Sequence, residues 1–350
     1  MITTFSFPSV IEANHVELSR VSSSLLKGLK LYADDQLAYI IGELAISEGL
    51  APHKSINGSP EDKDYKLLAK AALLVAAKSA EGSFHLTTGF PFIHYQAYRQ
   101  KAQEFFQTNH QIRYDASTFS GTALSDQNVS VVRALVIPEL QACDLAIRNG
   151  ALKPEGPYFL ISLGYGTFEA ALCTPEGIVQ RTCLSGPGIR YAVTGAIREL
   201  IRSKNVGLKA EHQFDQGFQS GRIVLDRNLV DLTEIRKKHL QLYYNEVISP
   251  LLSTVFADKD FGRCSQMILT GGGAMYTELV EHFNKEFDPV LKVKVQPEPT
   301  LSASQGYCLH SKSFLEGYNA IAVGLDIGNA NTVVSIMKEG ISGSSFPMNE

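Results

Sequence analysis

Asp326, Gly328, Asn329, Asn331 and Thr332 crowd into seven consecutive positions between two apolar runs, Ile321–Leu325 and Thr332–Ile336. A carboxylate at a strand end can hold a metal ion through water, and a small Gly-containing turn lets backbone N–H groups approach a phosphate. The flanking runs read as the two strands of a β-hairpin. On its own the segment is a weak signal and reads more readily as an ordinary hairpin in a buried sheet. A second segment repeats its grammar: Tyr158–Leu163 is an apolar strand with Ser162 in the place of Asp326, then Gly164, Tyr165, Gly166 and Thr167 form a turn one residue shorter, and an apolar strand follows. The exits agree too, Lys338-Glu339-Gly340 against Pro175-Glu176-Gly177. Two related Gly-turn hairpins predict a duplicated fold with a ligand between the halves.

Two further positions carry chemistry. The strand Gln266–Thr270 stops at Gly271, Gly272 and Gly273, and a helix is expected from about Ala274. Glycines remove the Cβ, and a following helix points free N–H groups at an anion; a tight structural turn is the alternative. Glu139 follows Pro138 at a strand-to-helix junction, where a carboxylate can orient or deprotonate a water for attack on a phosphate. A helix N-terminus also favours an acidic residue for its dipole alone.

The elements that must position these residues alternate. Strands are expected at 2–7, 37–41, 84–88, 129–137 and 266–270, besides the two hairpins. Helical spacing runs over 65–80, with Tyr65, Leu68, Ala69, Ala72, Leu73 and Ala76 on one face, and over 94–107, where Tyr95, Tyr98, Ala102, Phe105 and Phe106 line the buried side. Further helices are expected at 139–149, from 189 to about 201, over 231–256 with Pro250 kinking or splitting it, and over 301–315. Residues 53–64 read as a loop, 153–157 as a Pro/Gly linker, and 205–228 are hard to assign. Such alternation implies an α/β protein with a mixed sheet covered on both faces.

At 350 residues the chain can hold two α/β domains. A formal charge of −4 without a Lys/Arg stripe argues against direct nucleic-acid binding. The five cysteines show no CxxC or metal-like spacing and read as reduced thiols, although Cys173 and Cys183 flank a hairpin and could face each other. With no signal peptide, membrane-length apolar stretch or lipidation motif, a soluble cytoplasmic protein with no membrane contact is expected.

Taken together these motifs resemble the actin-like ATPases, and most of all the ParM-type plasmid-segregation actins. The two hairpins, the segment Ile268–Ala274 around the three glycines, Phe7-Pro8-Ser9-Val10, Pro138-Glu139, Thr87–Pro91, Gly42-Glu43 and Ala303–Tyr307 carry the resemblance over nearly the whole chain. It implies an actin-like ATPase fold of two related α/β domains around a nucleotide cleft. Residues 1–155 plus 318–350 would form domain I and 156–317 domain II. Asp326, Gly328, Asn329, Asn331 and Thr332 would hold phosphate and Mg2+ from one side, with Asp326 as the metal-side carboxylate. Gly164, Tyr165, Gly166 and Thr167 would hold phosphate from the other. Gly271, Gly272 and Gly273 would face the nucleoside, and Glu139 would activate the water. Arg236, Lys237 and His239 would reach the base or ribose, or form a solvated helix face. Tyr243 and Tyr244 are candidates for a subunit contact.

Two departures from that family stand out. The phosphate hairpin that opens its members closes this chain, which implies a circular permutation; the Gly/Ser-containing 341–350 reads as the loose end it leaves. Ser162 replaces the aspartate that normally matches Asp326, which implies weaker magnesium coupling or slower hydrolysis; Glu169 is expected to point elsewhere. The resemblance implies ATP/ADP and Mg2+ as ligands, head-to-tail self-assembly into filaments, and an adaptor linking them to DNA. A non-polymerising nucleotide-binding scaffold and a small-molecule kinase of the same superfamily remain the alternatives.

Overall fold

The computed structural model describes residues 1–54, 58–120, 124–204, 211–315 and 320–337. The exit at 338–340, the tail at 341–350, the domain boundary at 317/318 and part of the unassigned 205–228 lie outside the described residues. Eighteen strands are described: β1 Ile2–Pro8, β2 Val10–Ala13, β3 Lys30–Tyr32, β4 Ala38–Ile41, β5 His53–Lys54, β6 Phe84–Phe90, β7 Asn109–Asp115, β8 Leu124–Pro138, β9 Tyr158–Leu163, β10 Thr167–Thr174, β11 Gly177–Ile178, β12 Leu184–Pro187, β13 Arg222–Leu225, β14 Asn228–Asp231, β15 Gln266–Thr270, β16 Lys292–Val295, β17 Ile321–Ile327 and β18 Asn331–Met337. The helices are α1 Glu43–Glu48, α2 Lys63–Ser79, α3 Phe92–Phe106, α4 Glu139–Asn149, α5 Arg190–Lys204, α6 Glu211–Ser220, α7 Thr233–Tyr243, α8 Ser249–Val255, α9 Asp258–Phe261, α10 Thr277–Phe287 and α11 Ser302–Lys312.

The duplication read from the two Gly turns extends to five strands of each sheet. In the larger, β1 lies antiparallel to β18, β18 antiparallel to β17, β17 parallel to β6, and β6 parallel to β8. In the smaller, β12 lies antiparallel to β10, β10 antiparallel to β9, β9 parallel to β15, and β15 parallel to β16. Each half is the same five-strand pattern. The chain order differs between them: in the smaller sheet the hairpin comes first, whereas in the larger it comes last and Ile2–Pro8 pairs along Asn331–Met337. The larger sheet continues through β7, β3, β4, β2 and β5, and β13 and β14 form a separate hairpin.

Burial explains the composition of the strands. All six residues of β9 are buried, because helices cover both faces, and its sequence is accordingly apolar apart from Ser162 and the Tyr158 hydroxyl. The far half of β8 alternates exposed and covered residues where it pairs with β7 beyond that cover. Between the sheets α4 packs on α11, and Leu140, Cys143, Ile147, Tyr158, Leu160, Ile268 and Tyr307 form a core linking the two larger ones.

Several expectations shift. The long 231–256 helix is α7 and α8 joined by a π-helical turn at Tyr244–Ile248, with Pro250 in the first turn of α8. Proline has no N–H for the ladder, and the wider turn absorbs that loss without breaking the rod. Tyr243 and Tyr244 are buried, which removes them as a surface contact. All five cysteines are free thiols. Within 205–228 the described part contains α6 and β13. Among the described residues no helix is long and apolar enough to cross a membrane.

Candidate functional site

A cleft of about 570 Å³ runs between the two sheets. The β17–β18 turn borders it with Asp326, Gly328, Asn329 and Asn331, and the β9–β10 turn with Gly164, Tyr165, Gly166 and Thr167. Gly271, Gly272 and Gly273 follow β15 onto the same wall, and Glu139 reaches it from the first position of α4. Thr332 is the exception among the residues of the two Gly turns singled out from sequence. Strand alternation turns Asn331 and Val333 to the cleft and Thr332 away from it, fully buried, where its hydroxyl shares a 2.9 Å hydrogen bond with that of Ser9. Thr332 therefore ties β18 to the Phe-Pro-Ser segment instead of facing a ligand.

Each turn is held by the sequence around it. Gly328 N–H donates to the Asn331 carbonyl across the first turn. The second turn is laced to the start of α5: the N–H groups of Gly188, Ile189 and Arg190 donate to the carbonyls of Gly166, Gly164 and Tyr165. The two turns meet at one point, where a Cβ added to Gly166 would stand 2.3 Å from Asn329 Oδ1. Gly271 has φ +81°, and a Cβ there would lie 2.7 Å from the Leu163 backbone, so only glycine lets β15 turn this close to β9. The expected helix after it is first a 3-10 turn, Gly272–Met275, before α10.

Carboxyl groups dominate the electrostatics. Asp326 is pushed up to about 8, chiefly by burial and then by the charge of Glu139. Burial likewise raises Glu139, against the pull of a 3.2 Å hydrogen bond from the Ser162 hydroxyl. Ser162 thus stands where an aspartate would face Glu139 directly. Glu169 stays off the cleft wall, as expected, but remains in electrical reach. It is the cross-strand partner of Ser162 and only 1 % exposed. Its Oε1 accepts from the Phe92 N–H at 2.6 Å and from the Ser185 hydroxyl at 2.9 Å, which joins β10 to the start of α3 in the other half. Burial and the Glu139 charge hold this carboxyl well above the usual range. Sequence reading set it aside as pointing elsewhere, because cross-strand pairing with Ser162, not a motif, brings it within reach of Glu139.

Among the described residues on the cleft wall Arg190 is the only arginine or lysine, and it too escaped the sequence reading. Tyr98, expected in the core, borders the cleft together with Phe90 and His94, whose ring stacks on Tyr98. Arg236, Lys237 and His239 do not border it. Arg236 binds Glu278 and the Phe218 and Gln219 carbonyls, and His239 pairs with Glu199. Arg236 is thereby a support for Gln219, which does border the cleft. Among the described residues no three His, Cys, Asp or Glu gather as a metal-ligand cluster. Asp326 and Glu139, each disfavouring the other's ionisation, nevertheless suit a hydrated cation that would neutralise both.

No protein-family model matches the chain, and no curated protein matches its sequence. Solved structures do match its fold. A non-polymerisable quadruple mutant of pCBH ParM superposes with a TM-score of 0.72 at 17 % identity, covering 88 % of this chain and 93 % of that one. An archaeal actin homologue in complex with ADP gives 0.67 at 16 %, covering 88 % and 92 %. A 15-stranded ParM filament from Clostridium botulinum gives 0.66 at 14 %, covering 88 % and 93 %. The chain has the actin-like fold.

Proposed function

We propose that this chain is an actin-like ATPase that binds ATP between its two sheets and assembles head to tail into filaments. The observation that carries the reading is convergence: both Gly turns, the three glycines after β15 and Glu139 border one cleft. Its size falls within the roughly 300–1,000 Å³ typical of small-molecule sites. An ADP complex and a filament among proteins of the same fold support the ligand and the assembly.

In this reading Gly328, Asn329 and Asn331 hold phosphate from one side, and Gly164, Tyr165, Gly166 and Thr167 from the other. Gly271–Gly273 face the nucleoside, where the missing Cβ atoms permit close approach. Asp326 would hold Mg2+ through water, and the ion would offset phosphate charge during hydrolysis. Glu139, raised by burial toward the working pH, takes the proton of the attacking water, and the Ser162 hydroxyl orients it. We assign residues 1–155 plus 318–350 to domain I and 156–317 to domain II. We also read the larger half as circularly permuted, because its hairpin comes last where the equivalent hairpin of the smaller half comes first. A head-to-tail contact does not close on itself and generates a filament. A role in plasmid segregation through a DNA adaptor, in the cytoplasm, fits this reading.

A nucleotide-binding scaffold that does not polymerise is the second reading, favoured by Ser162 in place of a second aspartate. Right-angle light scattering on adding Mg-ATP, followed by pelleting, separates the two. A rise that requires nucleotide is expected. No rise across a wide protein concentration range, with ATP still bound, selects the scaffold.

A further inference from the structure

Lys54, at the end of β5 in the larger sheet, reaches the other half of the molecule. Its ammonium pairs with Asp215 Oδ2 on α6 and lies 4.0 Å from the centre of the Tyr165 ring. The Tyr165 hydroxyl donates to Asp215 Oδ1 at 2.8 Å, so all three side chains share one contact. The Lys54 and Asp215 side chains are only 7 % and 9 % exposed, and His212, one turn earlier on α6, is buried beside them. A buried ion pair is costly to desolvate and is retained where both partners and their hydrogen bonds are in place. Tyr165 belongs to the second phosphate turn, and Gln219 on the same helix as Asp215 borders the cleft. Bonds to the start of α5 fix the backbone of that turn and Asp215 holds its tyrosine hydroxyl within the same half, whereas Lys54 of the opposite half covers the tyrosine ring.

We propose that Lys54, Asp215 and Tyr165 form a latch across the cleft, whose closure positions the second phosphate turn and retains the bound nucleotide. Lys54 and Asp215 are positioning residues: they act on the ligand through Tyr165 and α6. The latch is a property of the fold, and its effect on retention rests on the cleft being a nucleotide site. When it opens, Lys54 leaves both Asp215 and the Tyr165 ring, and the turn is released from the larger half. Opening then limits the rate at which nucleotide leaves.

The test is a stopped-flow chase of fluorescent mant-ATP from wild type, Lys54→Met, Asp215→Asn, Tyr165→Phe and the charge-swapped double variant Lys54→Asp/Asp215→Lys. Release about tenfold faster in the first two is expected, corresponding to about 1.4 kcal/mol of closure. Tyr165→Phe, which keeps the ring and loses one hydrogen bond, gives a smaller increase. The double variant recovers at least half of the loss on a logarithmic scale, which a merely structural role for either residue would not produce. Release rates within twofold of wild type in the single variants overturn the latch. Hydrogen exchange of the nucleotide-free proteins reads the same contact without a ligand. Faster exchange at 163–167 and 211–220 in Lys54→Met and Asp215→Asn supports the latch; unchanged exchange overturns it. If the wild type fails to bind mant-ATP while exchange responds, the nucleotide reading falls and the latch stands.

Discussion

Replacing Asp326 by asparagine keeps the shape of the side chain and removes its charge. In the folded protein the carboxyl holds its proton to a pH of about 8, through burial and the Glu139 charge, against an ordinary value of 3.8. Between those values the folded state binds a proton that the unfolded chain has released, so stability falls as pH rises from about 4 to about 8. Four pH units at about 1.4 kcal/mol each set an upper bound of about 6 kcal/mol. Water entry and relaxation around a group that opens onto a cleft reduce this to about 1–3 kcal/mol at pH 8. Asp326→Asn should therefore stabilise the nucleotide-free protein by that amount at pH 8, have little effect near pH 4, and flatten the pH dependence between. Thermal unfolding from pH 4 to 8.5 without nucleotide measures it. Mg-ATP should reverse the order: the wild type gains stability from the bound ion and phosphate, and the variant gains much less. A variant no more stable than wild type at pH 8, or one with an unchanged pH slope, would refute the claim that Asp326 is held against Glu139 in a desolvated cleft.

Glu139→Gln should retain mant-ATP binding within a few-fold and reduce phosphate release by about 10²–10⁴-fold, the usual worth of a general base. Ser162→Asp, which faces a third carboxylate toward Glu139, should destabilise the nucleotide-free protein and steepen the magnesium dependence of hydrolysis; unchanged rates over a magnesium titration would count against the role given to Ser162. Glu169→Gln keeps an acceptor for the Phe92 N–H and should cost less stability than Glu169→Ala, because burial favours a neutral group there. Glu169→Ala strands that N–H and the Ser185 hydroxyl, and urea unfolding should show a loss of about 1–3 kcal/mol.

Much of the architecture was legible because its signals are local. Apolar runs interrupted by Gly turns announced both hairpins, Pro138 marked the start of α4, and the glycines after Thr270 marked the end of β15. Short elements were not legible. β5 has two residues, too few for any periodicity, and β7 alternates against a partner strand that sequence cannot name. The 231–256 helix, expected to kink or split at Pro250, begins only at Thr233 and takes up the proline through a π-helical turn just before it, at Tyr244–Ile248.

By itself the sequence determined which backbone segments can approach a phosphate, since glycine content and turn length are chemical properties of a few adjacent residues. It also determined that two such segments exist and that a carboxylate opens a helix after a strand. Only the tertiary structure decided what each side chain faces. Strand alternation turned Thr332 from the cleft to Ser9, cross-strand register placed Glu169 beside Ser162, and α4 carried Glu139 within reach of the Ser162 hydroxyl. The contact of Lys54 with Asp215 spans 161 residues of chain and has no local signature. The physical reason is the same in each case: burial and electrostatic pairing depend on distances through space, and those distances exist only once the sheets have packed.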